Sequence, residues 1–140
     1  MTDPAIPKFS FTDPRLWFYR AKVARVIDGD TVVLLVDRGM HEFAVLKVRL
    51  AGIDAPEMRP RQGTPESRAA EKILATQTTA RLAELIEGKE VMVKTHRTGK
   101  YGRWLAEIYL PDDREKTAND LLLEEGLAVK YGTPRPWRNE

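Results

Sequence analysis

The chain has 140 residues, 23 basic and 21 acidic for a net charge of +2, with 42% hydrophobic and 8% aromatic residues; this suits one domain with a single core and excludes a disordered chain. No apolar run approaches the ~20 residues of a membrane helix, and zero cysteines remove disulfides, thiolate zinc sites and thiol nucleophiles. Met1 to Ser10 lacks the basic-then-apolar pattern of a secretory leader, so a protein without membrane association is expected, either intracellular or an exported one in its processed form.

In chain order, residues 1–16 hold Pro4, Pro7 and Pro14 among scattered aromatics. They read as an extended arm, a candidate for self-association or contact with a protein partner. Trp17 to Val26 is β-prone, and Asp28-Gly29 supplies hairpin-turn chemistry. Thr31 to Val36 is a β-branched run suited to a buried strand, closed by a turn at Asp37-Arg38-Gly39. Phe43 to Leu50 reads as a third strand with Phe43, Val45, Val48 and Leu50 inward, a phase change that places a bulge near Lys47. Met58 to Gly63 is a polar loop. Thr64-Pro65-Glu66 then opens a helix with a hydroxyl cap, proline in the first turn and an acid against the dipole. Ala70, Ile73, Leu74, Gln77, Leu82, Leu85 and Ile86 recur at helical spacing, with Ile73, Leu74, Leu82 and Leu85 assigned to the core, and Gly88 ends the run. Glu90 to Thr95 and Trp104 to Leu110 alternate as two more strands, and Asp120 to Glu125 belongs to a short helix stopped by Gly126. Three strands, a helix, two strands and a helix is the element order of an α+β, mainly β fold: a five-stranded OB-fold barrel with a long helix between strands 3 and 4 and a short C-terminal helix. The folded domain is expected over 17–131, with 132–140 an irregular tail.

Charge is unevenly spread. Lys94, Arg97, Lys100 and Arg103 occur without a carboxylate among them, whereas Glu107 to Glu125 holds seven acids. Either one face of the protein is cationic or a solvated loop adjoins a solvated helix.

Three segments carry chemistry. In Val26-Ile27-Asp28-Gly29-Asp30-Thr31, Asp28 and Gly29 belong to the turn, but Asp30 stands against an apolar strand where an unpaired carboxylate is costly. It either extends the turn or serves a site. A calcium-binding helix-loop-helix does not fit, because the twelfth position from Asp28 is Gly39 rather than an acid. In Val48-Arg49-Leu50-Ala51-Gly52-Ile53-Asp54-Ala55-Pro56-Glu57, two acids flank a proline after an arginine that interrupts a strand. If Asp54 and Glu57 face Asp30, three carboxylates repel one another unless a cation or protons intervene. Hard oxygen donors select Ca²⁺, Mg²⁺ or Mn²⁺. The alternative is an Arg49 ion pair with Asp54 or Glu57 and no metal. In Thr98-Gly99-Lys100-Tyr101-Gly102-Arg103, glycines flank an aromatic between two cations. Such a loop can hold a phosphate and stack a base, or form a hairpin with solvated basic tips. His41 and His96 lack ligand partners at metal-binding spacing and read as surface residues. Trp104 reads as core and Trp137 as docking the tail.

These segments resemble the thermonuclease, or staphylococcal-nuclease-like, family. The resemblance runs from about Lys22 to Tyr131 on Ile27-Asp28-Gly29-Asp30-Thr31, Arg49 to Glu57, Lys100-Tyr101-Gly102-Arg103 and Glu125-Gly126-Leu127-Ala128. It implies an OB-fold barrel and calcium-dependent hydrolysis of DNA and RNA phosphodiesters, with single-stranded substrate expected. By that resemblance Asp30, Asp54 and the main-chain carbonyl of Ala55 hold the cation, and Glu57 positions or deprotonates the attacking water. Arg49 and Arg103 clamp the phosphate, while Lys100, Tyr101 and Tyr131 contact the nucleotide's terminal phosphate and base. Magnesium and manganese are the alternative ions. Val129-Lys130-Tyr131-Gly132 is shorter and less aromatic than the family's tyrosine-rich segment. Two rival functions remain at this point: an OB-fold module that binds nucleic acid or protein without cutting, and an assembly role through the N-terminal arm.

Overall fold

A computed structural model describes residues 16–96 and 103–138. Its elements run β1 (Phe18–Asp28), β2 (Thr31–Gly39), β3 (Glu42–Leu50), β4 (Ile53–Asp54), α1 (Pro65–Ile86), β5 (Glu90–His96), β6 (Trp104–Leu110), β7 (Asp113–Thr117), α2 (Ala118–Glu124) and β8 (Val129–Lys130). Strands pair in the order β3-β2-β1-β5-β6-β7, and a parallel β3–β6 contact closes the first five into a barrel. This is the expected OB-type architecture, with β5 and β6 as its fourth and fifth strands. The additions are β4, β7 and β8, which are two to five residues long and, in the case of Asp-Arg-Glu-Lys-Thr at β7, carry no β-forming pattern. Among the described residues no helix is long and apolar enough to cross a membrane.

The core is built from Val23, Val32, Leu34, Val48, Leu50, Val93 and Ile108 on the strands and Leu82, Ile86 and Leu122 on the helices, all fully buried. Register decides which residues of β3 contribute. Leu34 lies opposite Leu46, Val36 opposite Ala44 and Val32 opposite Val48, and residues opposite one another share a face. The inward set is therefore Ala44, Leu46, Val48 and Leu50, in unbroken alternation. Phe43 and Val45 face outward instead, 57% and 71% exposed, and β3 has no bulge at Lys47. In β1 the register shifts between Val23 and Arg25 and between Val26 and Asp28, and the first extra residue returns Val26 to the core after Val23. The β2–β3 turn also lies later than expected, at Met40 and His41, both with positive φ.

The long helix starts where its cap motif says: Thr64 Oγ1 accepts the Ser67 N–H at 3.1 Å, and Gly88 follows the end with φ +75°. Its rotation differs from the apolar spacing. The buried stripe is Ser67, Glu71, Ala75, Thr78, Leu82 and Ile86, while Ile73 is 62% and Leu74 38% exposed. Only the second half of α1 covers the barrel core, where Leu82 and Ile86 are buried and Leu85 is partly so. The first half packs over polar loops, so its inward residues are small or hydrogen-bonding. A buried amide joins the second helix to the barrel. Asn119 accepts the Ile108 N–H at 3.1 Å and donates to the carbonyls of Ala106 at 3.0 Å and Ala51 at 2.9 Å.

Candidate active site

Five backbone contacts bring the singled-out residues together. Thr31 pairs with Arg49 across β2–β3, and the Leu50 N–H donates to the Asp30 carbonyl at 2.8 Å, which puts Asp30 beside Arg49. The parallel β3–β6 register sets Arg49 opposite Leu105, next to Arg103. Asp54 pairs with Val129 in the β4–β8 ladder. The Tyr131 N–H donates to the Gly52 carbonyl at 3.0 Å, and the Arg49 guanidinium lies 5.6 Å from the centre of the Tyr131 ring. Gly29 permits the closest approach: a Cβ there would fall 2.5 Å from Thr78 Cγ2 and 2.9 Å from Ala55 Cβ, too near for any side chain.

The result is a cavity of about 1000 Å³ bordered by Asp28, Asp30, Asp54 and Glu57 and by Arg49, Arg59, Arg61, Arg103 and Arg135. Arg49 bridges two of the acids through one nitrogen. Nη2 makes a short hydrogen bond to Asp54 Oδ1 and lies 3.6 Å from Asp30 Oδ2. It also approaches the Ile53 carbonyl at 3.4 Å. Nη1 and Nε remain without partners among the described residues. Asp30 Oδ2 accepts the Ala55 N–H at 3.1 Å and Oδ1 the Thr31 hydroxyl at 3.1 Å. Burial, then the charge of Asp28 and its hydrogen bond, push the Asp30 carboxyl up to about 7 against the opposing pull of Arg49 and the Ala55 amide.

Asp54 is buried and has a second cation, Arg135 Nη2, at 3.3 Å. Glu57 has a cation of its own: its Oε1 meets Arg138 Nη2 at 3.1 Å. The three carboxylates therefore share one cavity without converging on one point, and no group of three acidic, histidine or cysteine side chains poised for a metal occurs among the described residues. The Arg49 pairing left open by the sequence is real, with Asp54 as its main partner. The donor chemistry nevertheless fits a hard divalent cation. Asp30 and Asp54 both approach the same guanidinium nitrogen, and Ala55, whose carbonyl is a further oxygen donor, is in hydrogen-bond contact with Asp30 through its N–H.

Arg59, Arg61 and Arg103 make no hydrogen bond or ion pair among the described residues, so the rim carries cationic charge beyond what the acids compensate. Lys100 and Tyr101 lie outside the described residues. Trp104 and Trp137 are half-buried, and His41 is exposed. His96 is at the end of β5, where Nε2 pairs with Glu107 Oε2 at 2.9 Å. Sequence reasoning missed Glu71, Arg135 and Arg138. The signal for Glu71 was its place in the Ser67-Glu71-Ala75-Thr78 stripe, which a search for apolar spacing passes over. The two arginines stand in Pro134-Arg135-Pro136-Trp137-Arg138, whose prolines stiffen the chain but do not say where it docks.

Comparison with known proteins gives a consistent picture. The family model described as staphylococcal nuclease homologue matches residues 47–140. A micrococcal nuclease of Shigella flexneri is 34% identical over 119 residues, which is 81% of this chain and 59% of that protein. A thermonuclease of Staphylococcus intermedius is 37% identical over 130 residues, 91% of this chain and 68% of the relative. An uncharacterised endonuclease of Escherichia coli O157:H7 is 30% identical over 110 residues, 79% of this chain and 60% of the relative. The chain thus spans about three fifths of the length of the Shigella and Escherichia relatives.

Proposed function

The chain belongs to the staphylococcal nuclease homologue family, and from this we propose that it is a metal-dependent nuclease that hydrolyses phosphodiester bonds of DNA or RNA, with calcium as the working ion and single-stranded segments as the preferred substrate. The observation that carries the reading is the cavity itself: carboxylates within it, and three further arginines, Arg59, Arg61 and Arg103, that no acid among the described residues neutralises. A phosphodiester brings negative charge to such a rim, and that charge increases as an oxygen nucleophile adds to phosphorus. Arg103 is free to bind a non-bridging oxygen, and Arg49 can offer Nη1 and Nε while Nη2 stays with the aspartates. Two guanidinium groups present planar donors that keep their charge at any working pH. Glu57, half-exposed on the cavity wall, accepts a proton from or orients the attacking water. Tyr131, already stacked on Arg49, offers a face to a base. Asp30, Asp54 and the Ala55 carbonyl would hold the cation, which when bound supplies charge neutralisation for the phosphate.

A second reading has one observation in its favour. Asp54 and Glu57 are already paired with arginines, so the acids are satisfied without a metal, as a nucleic-acid-binding module that does not cut would require. Digestion of a single-stranded DNA separates the two. The expected result is cleavage that needs calcium, stops with chelator, and falls about 10²–10⁴-fold in Glu57→Ala, the usual worth of a positioned base. Folded wild type that retains the DNA but leaves it intact with calcium, magnesium and manganese favours the binding module.

A further inference from the structure

Glu71 and Arg138 have no part in the chemistry above, yet both are buried at its edge. Glu71 is 1% exposed and sits on the inward stripe of α1. A carboxylate there is strongly unfavourable unless its oxygens are matched, and both are matched at Glu57's side of the cavity. Oε2 accepts the main-chain N–H of Glu57 at 2.8 Å, and Oε1 lies 3.4 Å from Arg138 Nε. The Arg138 side chain is 9% exposed, and its Nη2 reaches Glu57 Oε1 at 3.1 Å. Its Nη1 is 3.4 Å from Gln62 Oε1, on the loop that leads into α1.

Glu57 is thus held at both ends: its backbone by Glu71, its carboxylate by an arginine that Glu71 also braces. One oxygen of Glu57 is engaged, and the other has no partner among the described residues. Arg138 does not border the cavity, unlike Arg135, which pairs with Asp54 there at 3.3 Å. A fork enclosed by two protein carboxylates has little left to offer a phosphate. For stability alone, apolar residues at 71 and 138 would serve as well or better.

Resting on the nuclease reading, we propose that Arg138, braced by Glu71, is a positioning residue that fixes the direction of the Glu57 carboxylate, so that its free oxygen addresses the attacking water. A carboxylate on a loop between β4 and α1 would otherwise sample several rotamers, and misplacement by an ångström is costly in rate.

The test is steady-state cleavage of a single-stranded DNA oligonucleotide in calcium, by wild type, Arg138→Gln, Arg138→Lys, Glu57→Gln and the double variant Glu57→Gln/Arg138→Gln, with each folded fraction measured by thermal melting. Arg138→Gln is expected to lower kcat about 10-fold or more while KM stays within about 3-fold, the pattern of an interaction that acts in the transition state. Arg138→Lys keeps the charge but cannot span both carboxylates, so it should recover part of the loss. In the Glu57→Gln background the Arg138→Gln loss should shrink to less than about 2-fold, because residues that act as a unit are not additive. If Arg138→Gln does not fold, Arg138→Lys decides, with a kcat below that of wild type expected. An unchanged kcat in the folded variants, a rise in KM alone, or an undiminished loss in the double variant overturns the positioning role while the nuclease stands. A folded wild type that cleaves nothing overturns the nuclease reading and the positioning role together.

Discussion

Asp30 occupies the second position of the β1–β2 turn, where its amide donates to Asp28 Oδ1 at 3.2 Å and its carboxylate, with 15% of the side chain exposed, reaches toward Ala55 and Arg49. Its carboxyl is raised from 3.8 to about 7 by burial, with Asp28 adding to the effect. The unfolded chain releases this proton near pH 4 and the folded protein keeps it to about pH 7, so folding takes up a proton in that window. Stability from this group is full below the lower value and declines as pH rises through the window. In chelator, Asp30→Asn is therefore expected to raise the unfolding free energy at pH 8 by roughly 1–4 kcal/mol, and the gain should fall toward zero near pH 4. Denaturant titrations at several pH values check this, and a difference that does not vary with pH contradicts it. The same physics makes Asp30 legible only in part: an acid beside an apolar run signals something unusual, but the identity of its neighbours comes from strands far along the chain.

At the scale of elements, α1 and α2 do different work from their lengths. α1 divides into a longer stretch, through Thr78, that presents Glu71 and Thr78 to the loops around the cavity and a last part that seals the barrel with Leu82 and Ile86. Thr78 Oγ1 donates to the Leu127 carbonyl at 2.8 Å, which ties the segment just before β8, the partner strand of Asp54, to α1. α2 has only seven residues but carries Asn119, whose side chain satisfies backbone groups of β6 and of the Ala51-Gly52 turn together. Asn119→Ala leaves the Ile108 N–H and the Ala51 carbonyl without that partner, while the Ala106 carbonyl keeps the Ala51 N–H at 2.8 Å, and is expected to cost about 2–4 kcal/mol. It should appear as a lower denaturation midpoint with an unchanged slope; a midpoint within error of wild type would show that water replaces the amide. Helix limits were readable from Thr64, Pro65 and Gly88 because caps are local chemistry. Helix rotation was not, because the first half of α1 faces polar partners that an apolar pattern cannot announce.

For the molecule as a whole, a net charge of +2 conceals a cavity in which Arg59, Arg61 and Arg103 lack partners among the described residues while the acids are taken up by Arg49, Arg135 and Arg138. If nucleic-acid phosphates are what those rim arginines meet, single-strand binding in chelator should weaken with salt, and every phosphate left without its arginine should reduce the log–log slope by about 0.7. Arg59→Gln combined with Arg61→Gln is expected to flatten the slope by roughly 1–1.5 with little change in stability; a slope equal to wild type would remove this loop from the substrate path. The amino-acid sequence by itself determined the barrel's element order, the helix caps, the Asp28-Gly29 turn, and a short set of residues, Asp30, Arg49, Asp54, Glu57 and Arg103, now seen to border one cavity, because capping, turn chemistry and periodicity act over a few residues. Only the tertiary structure decided that Phe43 and Val45 face out, that Glu71 is buried, and that Arg135 and Arg138 return to Asp54 and Glu57. Those outcomes depend on strand register and on partners 67 and 81 residues away (Arg138 with Glu71 and with Glu57), where closing the chain is governed by the global packing of the barrel and not by any local preference.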